Sequence, residues 1–582
     1  MAGILGGELV GRMLRAEGVE VVFGIIDGSY FGLYAKLGEN GIRLISPRHE
    51  TTAAHMAGAY ARMTGKLGVC IASNGPGAAN VLPGVAVENG EGNRVLVISS
   101  WRRTGIVDPD RGGTYQYFDQ RAVMKPMTKW SGAAESYERI PEVMRRAFRI
   151  SYRGRPGVVS VTIPEDILNG SFDEAPALLA PEQYRRTAPL QASAEQVRRA
   201  ADLLVEAETP MIHAGSGVIH ARASDALLAV AERLHVPVTT SWGARSAIPE
   251  PSRVAVPMND LLVTAQARNE SDLVLVLGSR LGETDWWGKA PYWRRPAEQR
   301  LIQVDVDEEI LGLNRPVDLA IQADAAAFLE ALDAELRERD LSALASRATR
   351  LAAYGEARQK NRAAALALLE AEANGVHSAR VVHACREFFD DDAVLVVDGG
   401  NTAVWTNLFH EARAARSHLS TFKFGMLGAG TGQALGAKVA CPDRQVYCII
   451  GDGAMGYHPQ EIETAIRNDL PVVFVVMCDR QWGMVKYGQG MALDPERMTQ
   501  EKALGADETI NTDFSEIRFD RLAESMGGHG ERVSRPEDLA GALERSVASG
   551  RCAVIHVDVD PVVHMWAPGL AVFKAMHLEP EG

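Results

Sequence analysis

Short apolar runs recur along the chain, each closed by glycines or a polar turn, and stretches with the spacing of helices separate them. A first group comprises Val19 to Ile25, Val69 to Ala72, Val95 to Ser99 and Gly157 to Ile163. A second comprises Met211 to Gly215, Leu273 to Gly278 and Arg300 to Val306. A third comprises Val394 to Val397, Gln445 to Ile450, Pro471 to Met477 and Ala553 to Val559. Continuous apolar runs mark strands buried on both faces, and their alternation with helices predicts parallel sheets. The expected fold class is α/β, with three domains each built on a mainly parallel sheet flanked by helices. A Pro- and Ala-rich connector (Asp173 to Gln191) and a helical stretch (Ala323 to Ala371) punctuate the groups. The domains are expected over residues 1–172, 190–340 and 375–560, with 561–582 as a C-terminal arm or lid.

Composition changes this picture little. A chain of 582 residues exceeds what one core can fill. The net charge of −14 argues against nucleic acid or an anionic membrane as partner. The chain holds no apolar run of the length needed to cross a bilayer, and Met1 to Val10 has no basic segment leading into an apolar one. The cysteines Cys70, Cys385, Cys441, Cys448, Cys478 and Cys552 have neither zinc nor redox spacing and read as buried, reduced thiols of a cytoplasmic protein.

The chemistry concentrates in Gly451-Asp452-Gly453 and in Cys478-Asp479-Arg480-Gln481-Trp482-Gly483-Met484, where Asp479 lies 27 positions after Asp452. An apolar run precedes each aspartate, so a strand–helix–strand unit would bring both carboxylates to one sheet edge. Mg²⁺ takes one or two carboxylates plus phosphate and water, and glycines let backbone approach a phosphate. The alternative is a pair of turn aspartates at strand ends.

Other segments far along the chain match in order and spacing: Arg48-His49-Glu50 before an Ala/Gly-rich helix, Ser73-Asn74-Gly75-Pro76-Gly77-Ala78-Ala79-Asn80, Tyr115-Gln116-Tyr117-Phe118-Asp119-Gln120, Pro126-Met127-Thr128-Lys129 and Gly425-Met426-Leu427-Gly428-Ala429-Gly430. With these segments the chain resembles, to about residue 560, the thiamine-diphosphate enzymes of the acetohydroxyacid synthase, oxalyl-CoA decarboxylase and 2-hydroxyacyl-CoA lyase type. The resemblance implies thiamine diphosphate and Mg²⁺ as cofactors and a small-molecule substrate. It also implies a homodimer or homotetramer, with the cofactor between the first domain of one subunit and the third of another.

The same resemblance assigns roles. Glu50 would bind the aminopyrimidine N1′ and drive proton transfer; by itself it also fits a carboxylate complementing a helix start. Gln116 would meet the reacting carbonyl, hydroxyl or an ordered water, with Asn74 nearby. Leu427 would wedge between the cofactor rings, and Gly425 would admit backbone beside the pyrimidine. Gly399, Gly400, Asn401, Thr402, Gly451, Gly453 and Ala454 would surround the diphosphate. Asp452, Asp479 and the Gln481 carbonyl would ligate the metal, although many relatives carry Asn where Asp479 stands. Trp482, Gly483 and Met484 would line the pocket wall, with Glu496 a further acid or base candidate. Asp27 and Tyr30 lie in a loop, Asp27-Gly28-Ser29-Tyr30, that departs from the Pro-Gly-Gly type of many relatives. His55 reads as a structural histidine on the Ala-rich helix, and His49 and His458 stay ambiguous.

In the middle domain, Gly278 to Lys289 keeps a Gly-x-Arg start but lacks the Phe-Asp-Asp-Arg continuation of flavin-binding relatives, which argues against FAD. Arg245, Arg280 and Lys289 could instead bind an ADP or CoA phosphate, or be interface arginines and lysine. On that basis the favoured activity is a 2-hydroxyacyl-CoA lyase releasing formyl-CoA and a ketone or aldehyde. The alternative is an acetolactate synthase-like 2-oxo-acid decarboxylase and carboligase. A non-catalytic scaffold conflicts with the joint presence of Glu50, Gln116, Asp452 and Asp479. A nicotinamide oxidoreductase would rest only on the short Gly215-Ser216-Gly217.

Overall fold

The apolar runs form the inner strands of three sheets in a computed structural model that describes residues 3–107, 111–575 and 577–580. The first sheet holds β1 (Val21–Gly24), β2 (Arg43–Ile45), β3 (Gly68–Ala72), β4 (Val95–Trp101), β5 (Trp130–Ala133) and β6 (Val158–Pro164), in the order β2-β1-β3-β4-β6-β5. The second holds β7 (Pro210–Ala214), β8 (Val238–Thr240), β9 (Ala255–Val256), β10 (Leu273–Leu277), β11 (Arg300–Asp305) and β12 (Leu319–Gln322), in the order β9-β8-β7-β10-β11-β12. The third holds β13 (Val394–Asp398), β14 (His418–Ser420), β15 (Val446–Gly451), β16 (Val473–Cys478), β17 (His529–Val533) and β18 (Ala553–Asp558), in the order β14-β13-β15-β16-β18-β17. Every neighbouring pair in these six-stranded sheets is parallel.

The first and third sheets share one strand order, a kinship that their residues do not disclose. The middle sheet is a doubly wound array with its own order. Edge strands such as β5, β12 and β17 escape a search for apolar runs because they are half-exposed.

The chain divides into two compact units. One comprises Met1–Ala188, Phe424–Pro442 and His458–Leu470; the other comprises Pro189–Lys423, Asp443–Tyr457 and Pro471–Gly582. In the first unit, helix α1 (Glu50–Thr64) is buried along almost its whole length. It lies against α2 (Pro76–Glu91) and α4 (Ala429–Ala440), separated in the chain by α3 (Asn401–Phe409) of the other unit. Small residues permit that closeness: a Cβ on Gly436 would stand 2.3 Å from the Met56 carbonyl oxygen, and one on Gly84 would stand 2.7 Å from Ala54 Cβ. His55 is a buried structural residue whose Nδ1 meets Glu88 Oε1 at 2.7 Å.

The segment after Pro561 does not leave the domain as an arm. Helix Pro561–Met565 carries the buried His564 and Met565, and Ala567 and Leu570 join the core of the third domain. Burying these side chains outweighs the freedom that an arm would keep. Met576 and the last two residues lie outside the described residues. Among the described residues no helix is long and apolar enough to cross a membrane. Of the cysteines, Cys441 is half-buried and the rest are buried, and none is paired.

Candidate functional site

Both groups of candidate residues stand at carboxyl ends of parallel strands, where doubly wound sheets open a crevice. In the second unit, β13, β15 and β16 lie side by side and end in Gly399–Thr402, Gly451–Ala454 and Asp479–Met484. Asp452 and Asp479 are buried neighbours. Asp452 Oδ1 accepts the Gly453 N–H at 2.7 Å, and Oδ2 accepts the Arg480 N–H at 2.7 Å. Arg480 reaches that position with φ 57°, a conformation costly for a side-chain-bearing residue. Burial raises the Asp452 pKa against those two amide donors. Burial and the facing Asp452 charge push Asp479 well above the usual carboxylate range.

Two adjacent buried carboxylates fit a divalent cation, whose charge would remove the repulsion that raises them. Asn401 supplies a second sign: its side chain is buried, and among the described residues both amide atoms lack a hydrogen-bond partner. A diphosphate with its metal offers both acceptors and a cation to such an amide. Glycines keep the cradle open. A Cβ on Gly483 would fall 2.7 Å from Asn401 Nδ2 and 2.9 Å from Asp479 Oδ2, and one on Gly453 would enter the Trp482 ring at 2.6 Å. Gly399 holds φ 114°, and Met484 packs beside Gly400. The Gly483→Ala protein is expected to bind Mg²⁺ about 10–100-fold more weakly, the usual scale for disturbing the support of a metal ligand; isothermal titration calorimetry with Mg²⁺ and thiamine diphosphate checks it.

The C-terminal segment supports this end of the sheet. His564 links Ser378 Oγ (2.8 Å) to Thr402 Oγ1 (3.1 Å), and Gln481 Nε2 donates to the Pro561 carbonyl at 2.9 Å. Nothing in the sequence motifs points to His564.

In the first unit, Glu50 opens α1 from the loop after β2 and is buried. Asn80 Nδ2 donates to its Oε2 at 3.1 Å, and a Cβ on Gly77 would stand 3.4 Å from Oε1. Beside it runs a hydroxyl–amide network. Ser29 Oγ and Ser100 Oγ lie 2.6 Å apart, the Asn74 N–H donates to Ser100 Oγ at 2.8 Å, and Asn74 Nδ2 donates to the Gln116 carbonyl at 3.0 Å. The structure thus ties Gln116 to Asn74, with Gln116 at φ 52° against Gly75. Leu427 is half-buried in the turn that leads into α4, with Gly425 exposed at φ 69°. Ser29 and Asn80 lie in segments marked by the sequence but without a role of their own there, and Ser100 was not legible at all, since a lone hydroxyl has no spacing to mark it.

Other candidates have different fates. Tyr30 is buried in the first core, and its hydroxyl donates to the Ile25 carbonyl. Asp27 is half-buried and caps the turn, accepting the Ser29 N–H at 2.8 Å. Arg245 cannot serve a phosphate, because it is buried with its donors engaged by Glu250, the Asn407 side chain and the carbonyls of Asn407 and His410. A buried guanidinium has to be satisfied internally, and here the protein does so. Arg280 is exposed, Lys289 is half-buried, and Glu496 sits exposed in the first turn of helix Pro495–Glu501. The segment that departs from the flavin pattern folds inward. Trp286 and Trp293 join an aromatic core, and Asp285 meets Arg268 Nη2 at 3.3 Å and His213 Nε2 at 3.5 Å.

Comparison with known proteins returned three domain descriptions in chain order. Residues 4–123 match the thiamine pyrophosphate enzyme N-terminal TPP binding domain, 197–332 the central domain and 398–557 the C-terminal TPP binding domain. Over 99% of this chain and 96% of its own length, a probable acetolactate synthase large subunit of Methanocaldococcus jannaschii is 29% identical. An acetolactate synthase of Mycobacterium bovis is 31% identical over 95% of this chain and 87% of its own. A probable 2-ketoarginine decarboxylase of Pseudomonas aeruginosa is 32% identical over 94% of this chain and 91% of its own.

Proposed function

The chain belongs to the thiamine pyrophosphate enzymes, and within that family we propose that it decarboxylates a 2-oxo acid and passes the remaining fragment to an acceptor carbonyl or releases it as an aldehyde. The observation that carries this reading is full-length likeness to relatives named for acetolactate synthesis and 2-ketoarginine decarboxylation. Loss of Arg245 from the phosphate-binding candidates removes one support of the lyase favoured from sequence.

Bound thiamine diphosphate supplies the nucleophilic carbon and the electron sink for such chemistry. Asp452, Asp479 and the Gln481 carbonyl hold Mg²⁺ in this reading. Asn401, Thr402 and the amides of Gly453 and Ala454 would orient the diphosphate, while Gly399, Gly400 and Gly451 would leave it room, and Trp482 and Met484 would line the wall. Glu50 would hold a proton towards the pyrimidine, and Leu427 and Gly425 would stand beside the rings. Asn74 and the Gln116 side chain face the reacting substrate. The active unit is at least a homodimer, and the middle domain carries no flavin.

Product analysis by mass spectrometry tests the reading. Purified protein with thiamine diphosphate and Mg²⁺ is offered pyruvate, 5-guanidino-2-oxopentanoate and a 2-hydroxyacyl-CoA in parallel. Release of CO₂ from a 2-oxo acid is expected, with acetolactate marking carboligation and an aldehyde marking simple decarboxylation. Formyl-CoA from the thioester, with no CO₂ from either 2-oxo acid, would overturn it.

A further inference from the structure

A carboxylate outside the described roles lies against the turn that leads into Glu50. Glu461, at the start of helix α5 (Glu461–Arg467), is fully buried. Its two oxygens lie 3.2 and 3.0 Å from the Arg48 N–H donor, and Thr464 Oγ1 donates to Oε2 at 2.7 Å. Among the described residues Glu461 makes no salt bridge; the Arg48 guanidinium instead turns out towards Glu463, 3.9 Å away. Burial pushes the Glu461 pKa up, and the Thr464 hydroxyl and the amides of Arg48 and His49 resist that shift. A buried carboxylate served only by neutral donors is costly. Apart from the hydroxyl of its own helix, what it accepts is the backbone of one turn.

That turn is the entry to α1. His49 is its N-cap residue, extended at φ −147° and ψ 141°, with Nδ1 accepting the Thr51 N–H at 3.2 Å. The His458 ring stands 5.2 Å from the His49 ring. Its pKa is lowered to about 4, chiefly by burial and then by His49 and His55, so it brings no charge to the turn at neutral pH. Glu461 therefore grips the backbone two residues ahead of Glu50, from more than four hundred positions further along the chain.

We propose that Glu461 is a positioning residue: by accepting the Arg48 N–H it fixes the extended turn from which Glu50 enters its helix, and so fixes where the Glu50 carboxylate meets the cofactor's pyrimidine. The proposal rests on the reading of Glu50 given above. It differs from an ordinary helix-start carboxylate, which would complement its own helix and leave the Arg48 turn indifferent to its loss.

The test is Glu461→Gln, which removes the charge and leaves one acceptor oxygen in place of two for the Arg48 N–H, alongside Thr464→Val, which removes one donor to Glu461 and keeps the shape. Hydrogen–deuterium exchange over residues 46–52 is measured in the cofactor-free protein. The pH profile of the near-ultraviolet circular dichroism of bound aminopyrimidine is measured in the holoenzyme, together with kcat and KM. Glu461→Gln is expected to speed exchange in the turn, displace the dichroism profile and lower kcat about 10–100-fold, the scale of losing a hydrogen bond to a charged group. KM and Mg²⁺ affinity should stay near their original values. Thr464→Val should move the same readouts less, and it decides the matter should Glu461→Gln not fold. Unchanged exchange and an unchanged dichroism profile in a folded variant would overturn the proposal. Glu50→Gln is the control: if it leaves activity and dichroism intact, the reading of Glu50 fails; if it alone abolishes them, only the role of Glu461 falls.

Discussion

Asp452→Ala protein is expected to lose thiamine diphosphate on desalting in Mg²⁺ buffer, and with it all measurable turnover. Asp452 receives two backbone N–H groups, so its carboxylate is fixed in place before any cation arrives. Preorganisation of this kind is what makes a charged ligand worth more than its Coulomb energy in water. Removing one partner of a buried ionic contact costs roughly 3–5 kcal/mol, a loss of about a hundredfold to several thousandfold in affinity. Equilibrium dialysis with labelled cofactor measures it; retention within a few-fold of the unaltered protein would sink the metal assignment.

Asp479→Asn is expected to behave differently. The two carboxylates repel one another in a buried setting, and burial with that repulsion raises Asp479 above the usual carboxylate range. An amide keeps an oxygen for the metal while removing one charge, so the cofactor-free protein should melt higher. The pH dependence has a definite sign. A carboxyl whose folded pKa is raised contributes stability that is full below its unfolded pKa and is lost as pH rises through the folded value. Acidification therefore relieves the cofactor-free site, while Mg²⁺, which needs both groups ionised, binds progressively worse over the same range above the usual carboxylate pKa. Calorimetric titration of Mg²⁺ between about pH 8 and about pH 5 checks the trend, which Asp479→Asn should flatten.

Glu50→Gln is expected to separate chemistry from binding. A glutamine at this position retains an oxygen for Asn80 Nδ2, now 3.1 Å from Glu50 Oε2, so the helix start should survive. It cannot hold or give up the proton at the pyrimidine. Loss of a positioned acid–base group costs about 10²–10⁴-fold in rate. Single-turnover kinetics with a competent 2-oxo acid should record that loss, with cofactor binding changed far less than in Asp452→Ala. A variant with near-normal kcat would remove Glu50 from the mechanism.

The inner strands and the glycine-rich turns at their ends were legible because continuous apolar character and φ-permissive residues are local signals. The pair Asp452 and Asp479 was legible for the same reason: each ends a run that reads as a strand, and adjacent parallel strands bring their carboxyl ends together. By itself, then, the amino-acid order determined the α/β class, the inner strands, the strand ends that carry the chemistry and the family. Tertiary structure alone decided which polar side chains are already spent. Tyr30 and Arg245 resemble ligand contacts as letters, but each is buried with its polar atoms bound to backbone or to neighbouring side chains. The half-exposed edge strands, His564 beneath Thr402 and Glu461 beneath the Arg48 turn were likewise invisible beforehand. The reason is physical. Burial makes every unsatisfied polar atom costly, and the partner that satisfies it is chosen by packing across hundreds of residues, a distance over which no periodicity or spacing in the chain carries a signal.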